Sequence, residues 1–243
     1  MRDFKQETEN RVKYIQDKLK ESNAKGIILG NSGGKDSALV LILCKLACEN
    51  TIGVIMPCSS KRNYGEDYED AIKLARQFDI ETRVVDLTEA KKVLVEVIGK
   101  ATEISALADT NINPRLRMTT LYTIAQSENL LVAGTGNRSE IYMGYFTKWG
   151  DGGYDFNPIG DLTATEVVEY LKYFNAPANI INKAPSAGLY EGQTDEKDMG
   201  VTYAAIDEYI TKGTANEKDK EIIDRYHSRS EHKRKLPSIY GRD

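Results

Sequence analysis

Phe4, Val12, Ile15 and Leu19 recur at near-helical spacing among charged neighbours, which predicts an amphipathic opening helix over 4–22. Short apolar runs then alternate with helical patterns. The runs at 26–30, 51–57, 82–87 and 130–134 read as buried strands, and helical periodicity fits 36–49, 66–79, 88–98 and 114–127. Such alternation predicts an α/β fold: a doubly wound, mostly parallel, Rossmann-like sheet with helices on both faces. Ligands of these sheets sit beyond the carboxyl ends of the strands. The segments after Gly30, Ile55 and Ala133 are therefore expected to converge on one crevice.

After Gly144 the pattern changes. A connection rich in Gly and Asp, 145–161, leads to a helix that Thr163 and Glu166 can open as a capping box. A second irregular stretch, 183–198, holds Pro185, Ser186, Gly188, Gly192 and Thr194 and reads as a mobile lid. A charged helix over 216–235 ends in Glu231-His232-Lys233-Arg234-Lys235. One domain over 1–243 accommodates this order: the opening helix, a core at about 25–145, then substrate loops and C-terminal helices at about 146–243.

Composition narrows the field. With 33 Lys and Arg against 37 Asp and Glu, net charge −4, the chain lacks the basic balance that a broad nucleic-acid footprint needs. No apolar stretch approaches a membrane span, and the charged N-terminus lacks the apolar core of a signal peptide, so a cytoplasmic protein with no membrane partner is expected. Cys44, Cys48 and Cys58 have no further Cys or paired His near them to complete a metal site, and read as reduced core residues.

Candidate chemistry concentrates where the first strand meets its helix, in Gly30-Asn31-Ser32-Gly33-Gly34-Lys35-Asp36-Ser37. A loop there turns backbone N–H groups and the positive end of a helix toward an anion, and its glycines let the backbone approach phosphate oxygens closely. It departs from the common nucleotide loop: three residues, not four, separate Gly30 from Gly34, and Asp36 follows Lys35 where a hydroxyl is usual. An aspartate at that point repels phosphate unless a divalent cation lies between, so Asp36 implies Mg²⁺ bridging to the phosphate chain, with Ser32 and Ser37 donating to the same oxygens. The competing reading, a capped strand-to-helix turn, leaves most of the string without a purpose.

The string resembles the signature of the N-type ATP pyrophosphatases, the PP-loop family, which implies cleavage of ATP between its α and β phosphates and transfer of AMP to an acceptor oxygen. A second set of segments is more specific: Asn111-Ile-Asn-Pro-Arg115-Leu-Arg117-Met118, Gly134-Thr135-Gly136-Asn137-Arg138-Ser139-Glu140, Gly144-Tyr-Phe-Thr-Lys148-Trp-Gly-Asp151-Gly-Gly-Tyr-Asp155, Lys183-Ala-Pro-Ser186-Ala-Gly-Leu and Glu231-His232-Lys233-Arg234. Together they resemble the NAD⁺ synthetases from the loop to the C-terminus.

That resemblance implies three substrates: ATP, nicotinic acid adenine dinucleotide and ammonia. AMP is placed on the nicotinate carboxylate, an otherwise poor electrophile, and ammonia displaces it. By matching position it implies an ATP site of Gly30, Ser32, Gly33, Gly34, Lys35, Asp36, Ser37, Thr135 and Ser186, with Asp36 and Glu140 as Mg²⁺ ligands. Arg115, Lys148, Asp155, His232 and Lys233 match positions that hold the dinucleotide acid. Lys35, Asp36 and Asp151 are the catalytic candidates, Asp151 as the carboxylate beside ammonia. Each has a plainer rival: Glu140 as a solvated charge at a helix start, Arg115 and Arg117 as one exposed helix face, the His232 cluster as a basic run complementing a helix dipole. In one place the chain departs from the family pattern, because Ala164 stands where a lysine usually contacts ATP.

Only 31 residues precede Ser32, too few for the amidase domain that makes ammonia from glutamine in some relatives, so free ammonia is the expected nitrogen donor. The resemblance also implies a homodimer, with the opening helix and the apolar face of 114–127 as candidate contacts. The rival functions are another PP-loop activator, GMP synthetase-like or tRNA-modifying, and a regulator that binds a nucleotide without turning it over.

Overall fold

A computed structural model describes residues 2–58, 64–184 and 194–241. Helix α1, Phe4–Ser22, is opened by the Asp3 side chain, which accepts from the Lys5 and Gln6 N–H groups, and closed by Asn23 at φ 57°. Strands β1 (Gly26–Gly30), β2 (Thr51–Ile55), β3 (Glu81–Val84) and β4 (Leu130–Val132) form one sheet in the order β3-β2-β1-β4. All its pairings are parallel, with Ile28 opposite both Ile52 and Val132. Helices α2 (Lys35–Ala47), α3 (Glu66–Gln77), α4 (Thr88–Gly99) and α5 (Ala106–Glu128) make the crossovers. The doubly wound sheet expected from the apolar runs is present, and its strand order reverses between β1 and β4, which opens a crevice there.

Successive strand residues face opposite sides, so Ile27 and Leu29 join α1 and α2 in one core while Ile28, Ile52 and Val132 meet Leu121 and Ala125 of α5 in another. The remaining helices are α6 (Arg138–Met143), α7 (Ala164–Tyr173), α8 (Ala178–Asn182), α9 (Asp195–Met199), α10 (Tyr203–Lys212), α11 (Glu217–Arg229) and α12 (Glu231–Arg234). They gather a third cluster around Met143, Tyr203, Ile206 and Ile223.

Two helix boundaries differ from expectation. The helix expected from 114 starts at Ala106, capped by Ser105, and runs through Pro114. Buried Asn113 and Pro114 are held by tertiary contact: Asn113 accepts from the Cys58 thiol, and Pro114 backs onto Gly150. The helix expected over 216–235 breaks at Ser230, whose hydroxyl bonds the Tyr226 and Met143 carbonyls against Gly144, where a side chain would collide. The two faces expected at a dimer contact are in part used internally: α1 buries Ile15 and stacks Phe4 on Tyr170 at 4.6 Å, and α5 buries Leu121 and Ala125. Exposed apolar side chains include Val93 and Val97 of α4, Val84 of β3, Leu107 at the start of α5 and Tyr14 of α1.

Candidate active site

The phosphate-loop string leaves β1 at Gly30 and opens α2 at Lys35. Buried Asn31 fixes its start by donating to the Ala71 carbonyl at 3.0 Å and accepting from the Gly33 N–H at 3.4 Å. Gly33 sits at φ +70°, where an added Cβ would strike the Asp67 carbonyl, so glycine is required there on both counts. The Ser32 and Ser37 hydroxyls are 2.9 Å apart, and Ser32 also accepts from the Gly34 N–H at 3.2 Å. Gly34 caps α2 without a side chain, leaving the first turn of a 13-residue helix open to an anion.

Beyond β4, Asn137 and Glu140 form a capping box that opens α6. The Asn137 amide reaches back across the crevice and donates to Asp36 at 2.9 Å. Two carboxyls, Asp36 and Glu140, thus arrive on one wall from segments far apart in the chain. Burial raises the Asp36 pKa to about 6, against the opposing effects of Asn137 and Lys35. Burial, with Asp36 as a like charge, raises Glu140 well above the usual carboxylate range. Lys35 is pushed down by burial.

Loop and carboxyls face a cavity of about 1480 Å³, larger than a site for one drug-sized molecule needs. Ser32, Gly34, Lys35, Asp36, Ser37, Thr135, Glu140, Asp151, His232 and Lys233 line it, as do Gly30, Ile55 and Ala133, so the expected convergence of three strand ends occurs. Asp151 opens on this cavity while enclosed by its walls; lost hydration raises its pKa, and the Thr147 N–H holds one of its oxygens at 2.9 Å. Lys233 bridges the Gly144 and Phe146 carbonyls at 2.8 and 2.7 Å, close enough for Asp151 to offset part of the pKa drop that burial causes.

The other dinucleotide candidates lie elsewhere. Arg115 is exposed and donates to the Lys148 carbonyl at 3.5 Å, while Lys148 donates to the His232 carbonyl at 2.7 Å. Asp155 accepts from the Tyr122 hydroxyl and the Val132 N–H at 2.9 and 2.8 Å, on a shallow groove with Met118, Thr119 and Gln126. Ser186 and most of the expected lid lie outside the described residues.

Some cavity residues carry no local sequence signal. Arg117, not its neighbour Arg115, turns inward: its Nε donates to the Met56 carbonyl at 3.1 Å, and burial lowers its pKa near Asp151. Tyr203 donates to buried Asp195 at 3.2 Å, and burial followed by Glu140 and Asp195 drives the phenol pKa upward. Periodicity places Arg117 on a helix, whereas Asp195 falls in the stretch expected to be irregular and instead opens α9, and neither reading sets them opposite Asp36. Ala164 does line the cavity, its N–H donating to Ser139 Oγ at 3.1 Å.

Comparison with known proteins bears on this geometry. The family model described as NAD synthase matches residues 7–240. An NH(3)-dependent NAD(+) synthetase of Carboxydothermus hydrogenoformans is 48% identical over 239 residues, covering 97% of each chain. Among solved structures, NMN synthetase from Francisella tularensis superposes with a TM-score of 0.94 at 37% identity, covering 99% of this chain and 100% of that one. The NH3-dependent NAD synthetase of Campylobacter jejuni gives a TM-score of 0.79 at 30% identity, covering 98% and 99%.

Proposed function

The chain belongs to the NAD synthase family, and from that premise we propose that it is an ammonia-dependent NAD⁺ synthetase, a ligase forming a C–N bond. ATP adenylates the nicotinate carboxylate of nicotinic acid adenine dinucleotide with loss of pyrophosphate, and ammonia then displaces AMP to leave the amide. One observation carries this reading: the open first turn of α2, the Asp36 and Glu140 carboxyls, and Asp151 share one cavity.

The residues fit the divisions of such a reaction. The Gly34 N–H, Ser32 and Ser37 suit pyrophosphate oxygens, and Lys35 suits a phosphate as a point charge. Two buried carboxyls with raised pKa values are the donor set that Mg²⁺ takes together with phosphate oxygens, and among the described residues no group of three or more His, Cys, Asp and Glu forms a complete metal cage. Bound there, Mg²⁺ supplies charge neutralisation for the departing pyrophosphate. Asp151 beside Lys233 offers a carboxylate to ammonium and accepts its proton before attack. No described helix is long and apolar enough to cross a membrane, in keeping with a cytoplasmic site of action. A homodimer through the uncovered valines of α4 completes the proposal.

The test is pyrophosphate release that requires ATP, ammonium and the acid dinucleotide together. Activity only with xanthosine monophosphate supports a GMP synthetase-like enzyme, and ATP binding with no turnover supports a regulator. A second reading has its own support: TM-scores are 0.94 to an NMN synthetase and 0.79 to an NAD synthetase, and Arg115, Lys148 and Asp155 stand outside the cavity wall. The acid substrate on that reading is nicotinic acid mononucleotide. Comparing kcat/KM for the two acids decides between them.

A further inference from the structure

Lys183 follows α8 with its side chain only 13% exposed. Its ammonium lies 2.8 Å from Asp67 and 2.6 Å from Asp70, both on α3, and Asn179 donates to the other oxygen of Asp70. The same ammonium donates to the Gly33 carbonyl of the phosphate loop at 3.1 Å. In the opposite direction, Lys35 of the loop donates to the Lys183 carbonyl. Chain segments near 33, 67 and 183 are thereby tied at one point on the cavity wall, which Lys35, Asp67 and Lys183 all line.

In a trans peptide the C=O and N–H point in opposite directions, and the chain contains no cis peptide among the described residues. Holding the Gly33 oxygen against Lys183 therefore turns the Gly34 N–H the other way, toward Ser32 Oγ and the open turn of α2. Rotated by half a turn, the same unit would present its oxygen to a phosphate. Glycines on both sides offer little resistance to that rotation, so the contacts at its two ends, Ser32 Oγ on the N–H and Lys183 on the oxygen, set it. Lys183 also stands between the loop and two carboxylates whose charge would oppose an incoming triphosphate.

We propose that Lys183 is a positioning residue for ATP: clamped by Asp67 and Asp70, it holds the Gly33–Gly34 peptide in the orientation that offers the Gly34 N–H to the phosphates. The inference rests on the reading of the loop as an ATP site.

Four proteins test it: the full-length chain, Lys183→Met, Lys183→Arg, and Lys183→Met combined with Asp67→Asn and Asp70→Asn. Binding of α,β-methylene ATP is read by calorimetry, thermal stability by scanning calorimetry, and KM for ATP and for ammonium by pyrophosphate release. Lys183→Met is expected to weaken analogue binding about tenfold or more and raise the KM for ATP, leaving the KM for ammonium unchanged. Lys183→Arg recovers part of the affinity. The triple variant, with both carboxylates neutralised, recovers the melting temperature but not the affinity. Wild-type affinity in Lys183→Met, or recovery of affinity along with stability in the triple variant, overturns the inference. A wild-type chain that amidates neither acid overturns the functional reading instead, while analogue binding still judges Lys183.

Discussion

Asp36, the proposed cation ligand, sits where burial works against its charge in the free protein. Its carboxyl titrates at about 6 when folded, against 3.8 as the ordinary value. A group that binds its proton more tightly when folded stabilises the fold below the lower of these values, and that contribution is lost as pH rises through the upper one. Asp36→Asn keeps an acceptor for Asn137 without the charge. In scanning calorimetry of the ligand-free protein at pH 7.5 it is expected to melt about 2–4 °C higher than wild type, with the gap closing toward pH 4. Its AMP transfer should fall at least about a hundredfold in the same preparation. Asp151 is proposed to serve the other half-reaction. Asp151→Asn is expected to slow displacement of AMP by ammonia about a hundredfold while adenylation changes little, as single-turnover measurements of each step would show. Equal losses in both steps would remove the ammonia role. Because burial raises the Asp151 pKa, the acid limb of the ammonia step should lie above the usual carboxylate range.

At the scale of elements, α1 works as a clamp. Arg11, nearly buried, donates to the Pro158 carbonyl at 2.5 Å, to Asp161 at 2.6 and 2.8 Å, and to Glu7 at 2.7 Å. Arg2 adds Glu166, the capping-box residue of α7, at 2.8 Å. The opening helix thus fixes the 158–161 turn and the start of the helix that bears Ala164. Arg11→Met keeps the length of the stem but leaves Asp161 with Arg2 as its remaining ionic partner. Because that carboxylate is about half exposed, the expected cost is about 2 kcal/mol, below the range for a wholly buried pair. That corresponds to a melting temperature lower by about 4–8 °C. Helix limits were less legible than helix existence. Pro114 reads locally as a helix start, and contact of Asn113 with Cys58 and of Pro114 with Gly150 carries α5 through it.

For the whole molecule, Val93 and Val97 of α4, at 57% and 56% exposure, are a cost to a monomer and the contact proposed for a second copy. Val93→Glu with Val97→Lys is expected to convert a sedimenting dimer to monomer, and a wild-type chain that sediments as a monomer at any concentration removes the proposed contact. The sequence by itself determined what is local or periodic: the order of strands and helices along the chain, the parallel sheet, and the position of the Ser32 to Ser37 string between β1 and α2, for which a phosphate site with a bridging cation is proposed. These are legible because backbone preference and face alternation act over a few residues. Only the tertiary structure decided what stands opposite what. It set Arg117 rather than Arg115 on the cavity, turned Asp155 toward Tyr122, brought Asp195 and Tyr203 to the carboxyl wall, and laid Lys183 between α3 and the phosphate loop. Periodicity gives the face a residue occupies. The partner across that face is set by burial and charge pairing between segments far apart in the chain, and those terms act only once the sheet has closed around its cores.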